Sequence, residues 1–172
     1  MNRIHIIGRK NHGKTTLIVE LIEEFTRLGL SVGAIKHTSH SHELDVPGKD
    51  SYRQRLGGAS PTVVVTGDLI GLYVPRRADD DFYGRLTPVF ADCDLVLVEG
   101  HVDADGAKIE VWRRAVGGPC LASQRRDVTA VVTDDWPEVN VPVWPRSGPP
   151  HVAQNILSLL QHRCVLPEGL RQ

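Results

Sequence analysis

The sequence predicts an α/β fold of three layers, a mostly parallel sheet with one mixed edge flanked by helices, and three observations predict it. A short β-branched run over residues 3–7 leads directly into Gly8-Arg9-Lys10-Asn11-His12-Gly13-Lys14-Thr15 and then into an amphipathic segment, the strand, glycine-rich loop and helix of a P-loop NTPase. A second apolar run, 31–36, lies at the distance that a right-handed βαβ crossover needs. A third, 94–100, is almost continuous in Leu and Val, as in a strand buried on both faces. With 172 residues the expectation is one nucleotide-binding domain over 1–172, with no room for a separate catalytic module.

Composition narrows the function classes. Lys plus Arg is 20 and Asp plus Glu is 21, a net charge of −1, so no basic excess advertises a nucleic-acid or membrane surface. Three each of Phe, Trp and Tyr leave few stacking platforms for single strands. Cys93, Cys120 and Cys164 form no C-x-x-C pair and read as reduced thiols filling small apolar sites. No apolar run approaches the roughly 18 residues that span a bilayer, and the expectation is a soluble, cytoplasmic protein with neither nucleic acid nor membrane as partner.

In the first unit, Leu17, Ile18, Leu21, Ile22, Phe25 and Leu28 share one helical face, Glu20, Glu23, Glu24 and Arg27 the other, and Gly29 supplies the stop. The loop before it, with Asn11 and His12 at its tip, has the spacing that wraps phosphates. Gly8 turns the chain tightly, and backbone N–H groups near Gly13 approach the oxygens. Lys14 neutralises the β- and γ-phosphates, the Thr15 hydroxyl ligates Mg²⁺, and Thr16 caps or packs.

After the second strand come Lys36-His37-Thr38, His40, His42, Asp45 and Pro47-Gly48-Lys49-Asp50-Ser51, at the strand end where open α/β sheets bind ligands. Three readings compete: a metal site of His37, His40, His42 and Asp45, an anion or substrate clamp of Lys36, His37 and Lys49, or a solvated loop. Asp50 or Ser51 is expected to cap a helix over 52–56 that Gly57-Gly58 ends. Residues 61–66 and 69–74 flank a two-residue Gly67-Asp68 turn, a hairpin that makes the sheet edge mixed. Asp79-Asp80-Asp81 reads as a solvated helix start, since three adjacent side chains do not converge.

The 94–100 strand ends at Glu99, where phosphate-loop proteins carry a magnesium partner; Glu99 can hold Mg²⁺ through water, orient an attacking water, or pair with Lys14. Further strands are expected over 108–113 and 128–133, and a terminal helix over 155–161. Asp134, past the last strand, could accept hydrogen bonds from guanine N1 and N2, which adenine lacks.

Together Gly8 to Thr15, Lys36-His37-Thr38, the 45–51 segment, Val98-Glu99-Gly100 and Lys108-Ile109-Glu110-Val111 resemble the MobB family, molybdopterin-guanine dinucleotide biosynthesis protein B. The resemblance is close over 1–113 and looser beyond. It implies a GTP-binding, weakly hydrolysing accessory protein of cytoplasmic molybdenum-cofactor assembly. Such a protein is homodimeric, uses Mg²⁺, has molybdopterin as a further ligand, and works with a MobA-like guanylyltransferase. By that resemblance Gly8, Gly13, Lys14, Thr15 and Thr16 bind phosphates and Mg²⁺ beside Glu99, while His37 and the 45–51 segment, with Lys49 and Asp50, face nucleotide or cofactor. The chain departs from the family at His101-Val102, where an aromatic residue and a lysine are usual, and it lacks the N-K-x-D guanine signature. A small-molecule kinase, or a metallochaperone-type GTPase using His37, His40 and His42, are the alternatives.

Overall fold

A computed structural model describes residues 1–77 and 79–162. The described residues divide into two compact units, one made of residues 1–38 and 88–162, the other lying within 39–87.

The first unit holds β1 (Arg3–Ile7), α1 (Lys14–Arg27), β2 (Val32–Lys36), β5 (Leu95–Glu99), β6 (Ala107–Val111), β7 (Ala130–Val132), β8 (Val143–Trp144) and α4 (Pro149–His162). Its six strands run in the order β2-β5-β1-β6-β7-β8, and every neighbouring pair is parallel. The crossover from β1 to β2 therefore leaves a gap that β5 fills. β5 is buried along almost its whole length, and its apolar composition suits a strand with neighbours on both edges and both faces.

Ile4, Ile6, Leu95, Leu97, Ile109 and Val132 on the sheet share one core with Leu17, Leu21 and Phe25 of α1 and with Val152, Ala153, Ile156 and Leu160 of α4. α1 buries Leu17, Ile18, Leu21 and Phe25 of the predicted face, with Ile22 packed against the core; Leu28 instead lies past the helix as its exposed C-cap, and the helix ends as expected, with Leu28 and Gly29 donating to Glu24 and Thr26 carbonyls. α4 starts six residues earlier than periodicity suggests, because Pro149 and Pro150 occupy a first turn whose N–H groups have no helical partners to lose. β8 escaped sequence reading: two residues between Pro142 and Pro145 carry no period, yet Val143 and Trp144 pair with Val131 and Val132.

β6 is buried at every position, including Lys108 and Glu110, so it is a central strand and not a half-exposed one. Each charge meets a partner, as burial requires. Lys108 Nζ donates to Asp127 at 2.8 Å. Glu110 accepts from Leu121 N at 2.7 Å, Ala122 N at 2.8 Å and the Cys120 thiol at 3.0 Å. Burial and that carboxylate push the Cys120 thiol up to about 12, which leaves it a packing group without nucleophilic character. Cys93 is a half-buried free thiol; Cys164 lies outside the described residues.

The second unit contains α2 (Asp50–Leu56), β3 (Thr62–Val65), β4 (Ile70–Tyr73) and α3 (Phe82–Leu86). The hairpin forms as predicted, Thr66 N donating to Leu69 O across the Gly67-Asp68 turn. It forms a separate two-stranded antiparallel sheet, however, and adds no mixed edge to the parallel one. Capping of α2 also differs from expectation: its N-cap is Lys49, with no side-chain cap bond, since an ammonium offers no acceptor, and the Ser51 hydroxyl donates to Asp45 at 3.0 Å. Asp81 does cap α3, accepting from Gly84 N at 2.9 Å, and Asp80 pairs with Arg85, which fits the solvated helix start.

Candidate phosphate-binding site

Because all six strands are parallel, their carboxyl ends share one edge, and β1 opens there into the loop that contains Gly8 and Gly13. Gly8 has φ 138°, and a Cβ on it would lie 2.4 Å from the Val111 carbonyl oxygen; the loop passes too close to β6 for any side chain. Gly13 caps α1 in the left-handed region at φ 94°, and Asn11 is left-handed as well, at φ 67°. These turns put the start of α1, with its unpartnered N–H groups, under the loop.

Lys14 folds back across the loop, Nζ donating to the Arg9 carbonyl at 2.8 Å. Thr15 Oγ1 lies 3.0 Å from both carboxylate oxygens of Glu99, and Lys36 Nζ stands 3.7 Å from the same carboxylate. Burial pulls the Lys14 ammonium below its ordinary value, with the Glu99 charge opposing and the Lys36 charge adding to that pull. A hydroxyl and a carboxylate side by side are hard oxygen donors of the kind Mg²⁺ takes. Two cations next to a glycine-walled loop complement a polyphosphate. Thr16 is exposed on the first turn of α1 and neither caps the helix nor packs into the core.

His37 follows β2, its N–H donating to the Glu99 carbonyl at 2.9 Å. Its ring stacks on His101 at 4.0 Å with 12° between planes. His101, in the left-handed region at φ 57°, was not foreseen as part of this edge, and nothing in the local pattern signals a stacking pair formed across two strands. His12 is almost wholly buried, and its Nδ1 accepts the Arg113 N–H at 2.9 Å. Asp134, beyond β7 and two strands from β1, accepts from Ser147 N at 3.0 Å and Ser147 Oγ at 3.1 Å. The Ser147 N–H holds its carboxyl below the usual range, so it is an anionic acceptor at neutral pH.

The remaining candidates belong to the second unit. Lys49 and Asp50 open α2 and, with Val65, Leu69 and Gly71, line a cavity of about 590 Å³; Asp50 is 3.8 Å from Arg53. His40 and His42 meet edge to face at 6.0 Å. Among the described residues no three His, Cys, Asp or Glu side chains converge in a way that could hold a metal ion.

Comparison with known proteins gives a consistent picture. The family model for MobB, molybdopterin guanine dinucleotide synthesis protein B, matches residues 3–134. The molybdopterin-guanine dinucleotide biosynthesis adapter protein of Escherichia coli is 36% identical over 126 residues, covering 71% of this chain and 72% of the relative. Its counterpart from Haemophilus influenzae is 30% identical over 159 residues, covering 91% and 88%. The crystal structure of Bacillus subtilis MobB superposes with a TM-score of 0.71 at 25% identity, over 92% of this chain and 97% of that one.

Proposed function

This chain belongs to the MobB family and acts as an adapter in molybdopterin-guanine dinucleotide biosynthesis, and on that premise we propose that it does so by binding Mg·GTP at the β1–α1 loop and hydrolysing it slowly. The observation that carries the reading is the Thr15–Glu99 pair at 3.0 Å beside Lys14, over a loop with no side chain at Gly8 and Gly13. In this reading, N–H groups at the start of α1 bind the phosphates, and Lys14 moves from the Arg9 carbonyl onto the β- and γ-oxygens. Thr15 and Glu99 would hold Mg²⁺, which when bound neutralises charge on those oxygens. Asp134, anionic and braced by Ser147, is the group that reads N1–H and the 2-amino group of guanine.

An adapter acts through partners. The second unit exposes Val65 and Ile70 at 70% and 74% as a cross-strand pair of a two-stranded sheet, with Leu69 of the turn at 74% beside them, an apolar patch that favours cover. A second copy of this chain is the proposed cover, and a MobA-like guanylyltransferase the proposed client, in the cytoplasm. Molybdopterin is the further proposed ligand, with the segment carrying Lys49 and Asp50 as its candidate contact. No helix among the described residues is long and apolar enough to cross a membrane.

Titration calorimetry tests the reading. Mg·GTP should bind more tightly than Mg·ATP, and immobilised guanylyltransferase should retain the protein. No nucleotide binding, or equal affinity for the two, overturns the GTP assignment. Rapid turnover that depends on a small acceptor would favour a kinase instead.

A further inference from the structure

The phosphate loop holds Asn11 in the left-handed region at φ 67°, a conformation that costs a residue with a side chain and persists where the surrounding structure supports it. That support comes from the segment after β6. At one end the segment is rooted in the core, where Glu110, 1% exposed, accepts the Leu121 and Ala122 N–H groups and the Cys120 thiol. In its middle the Trp112 indole N–H closes a turn onto the Gly118 carbonyl at 3.1 Å.

This braced segment meets the phosphate loop along several contacts. Val111 presents its carbonyl against Gly8. Arg9 Nε reaches the Pro119 carbonyl at 3.4 Å on the exposed side. His12, 1% exposed, accepts the Arg113 N–H on Nδ1 at 2.9 Å, joining residues 101 apart. The last of these is both buried and of good hydrogen-bond length, and a buried N–H that loses its acceptor carries the full cost of desolvation.

We propose that His12 is a positioning residue of the phosphate loop: by accepting the Arg113 N–H, its Nδ1 locks the β6 segment against the loop and presets the loop for phosphate. The inference rests on the phosphate-loop reading and deepens it. The ring does not touch nucleotide; it acts through the backbone on either side of it. Its Nδ1 must be unprotonated to accept. Burial, the largest influence, favours that state, as do the Lys14 and Arg113 charges, while Glu110 and the Gly117 carbonyl oppose it.

The test compares His12→Asn, His12→Gln and His12→Leu in the full chain. The Asn Oδ1 sits where the His Nδ1 sits, one bond beyond Cγ, whereas the Gln oxygen lies one bond further and Leu has no acceptor. Mg·GTP dissociation constants from calorimetry should rise about tenfold in the Leu and Gln variants, equivalent to about 1.4 kcal/mol, and stay within about threefold of wild type in the Asn variant. Amide exchange at Arg113, followed by NMR without nucleotide, should be slow in wild type and His12→Asn and fast in the other two. Wild-type affinity in His12→Leu, or an Asn variant as impaired as Leu, overturns the proposal. If wild type binds no Mg·GTP, the functional reading fails instead, and the exchange measurement still decides whether His12 braces the loop.

Discussion

The Thr15 hydroxyl, on the first turn of α1, and the Glu99 carboxylate, at the end of β5, meet at 3.0 Å although 84 residues separate them in the chain. The pair joins the first turn of α1 to the strand that lies between β1 and β2. It makes Glu99 the acidic group of the site and sets what its removal should do.

Glu99→Gln keeps a hydrogen-bond acceptor for Thr15 and removes the charge. GTP hydrolysis, measured by phosphate release, should fall by about 10- to 100-fold, while the dissociation constant for Mg·GTP changes by less than about threefold. Equal losses in both would make Glu99 a structural partner of Thr15 and nothing more.

Lys14 donates only to the Arg9 carbonyl among the bonds resolved for it, so it contributes little to the core. Lys14→Ala should weaken GTP binding by about 100-fold or more, the scale of losing a charge-assisted contact to phosphate. Its thermal unfolding midpoint should stay within about 2 °C of wild type, since surface changes of this kind cost under about 0.5 kcal/mol. Calorimetry and a melting curve on one preparation give both values.

Stability should fall with acid because of His5. This imidazole is wholly buried on β1, and desolvation is the main cause that lowers it from 6.5 to about 4, with Arg3, His101 and Lys108 adding and the Gly100 backbone opposing. The unfolded chain therefore takes up a proton that the folded chain refuses. The stabilisation is complete above about pH 6.5 and is lost as pH falls through about 4. Between those limits His5 alone accounts for a loss of about 3 kcal/mol. Urea unfolding at pH 7, 5.5 and 4.5 should show the decline, and His5→Phe should flatten it; an unchanged slope in that variant would reassign the effect.

In the hairpin of the second unit, Ile70 is 74% exposed, and a carboxylate there costs the isolated chain little. Ile70→Asp should convert a dimer of wild type to a folded monomer in sedimentation velocity with an unaltered circular dichroism spectrum. A wild-type chain that sediments as a monomer would remove the second copy as the cover of this face.

Much of the fold is written in local pattern. β1, α1, β2, β5 and the hairpin fall where period, glycine stops and β-branched runs put them, because each such feature reports on a few neighbouring residues. The phosphate loop is legible for the same reason: its chemistry depends on the spacing of eight consecutive residues. The short β8 was not legible, since two residues have no period, and the early start of α4 was hidden by prolines that ordinarily signal a break.

The sequence by itself determined that a strand, a glycine-rich loop and an amphipathic helix would form in succession, with an acidic residue ending a buried strand elsewhere. Tertiary structure alone decided that β5 enters between β1 and β2 and delivers Glu99 to Thr15, that the hairpin forms its own sheet, and that His12 turns inward to Arg113. Those outcomes depend on which strand edges pair and which buried polar groups find partners 84 or 101 residues away. For His12 and the Arg113 N–H, burial makes the pairing obligatory, and for neither pair does a local period encode the partner's position.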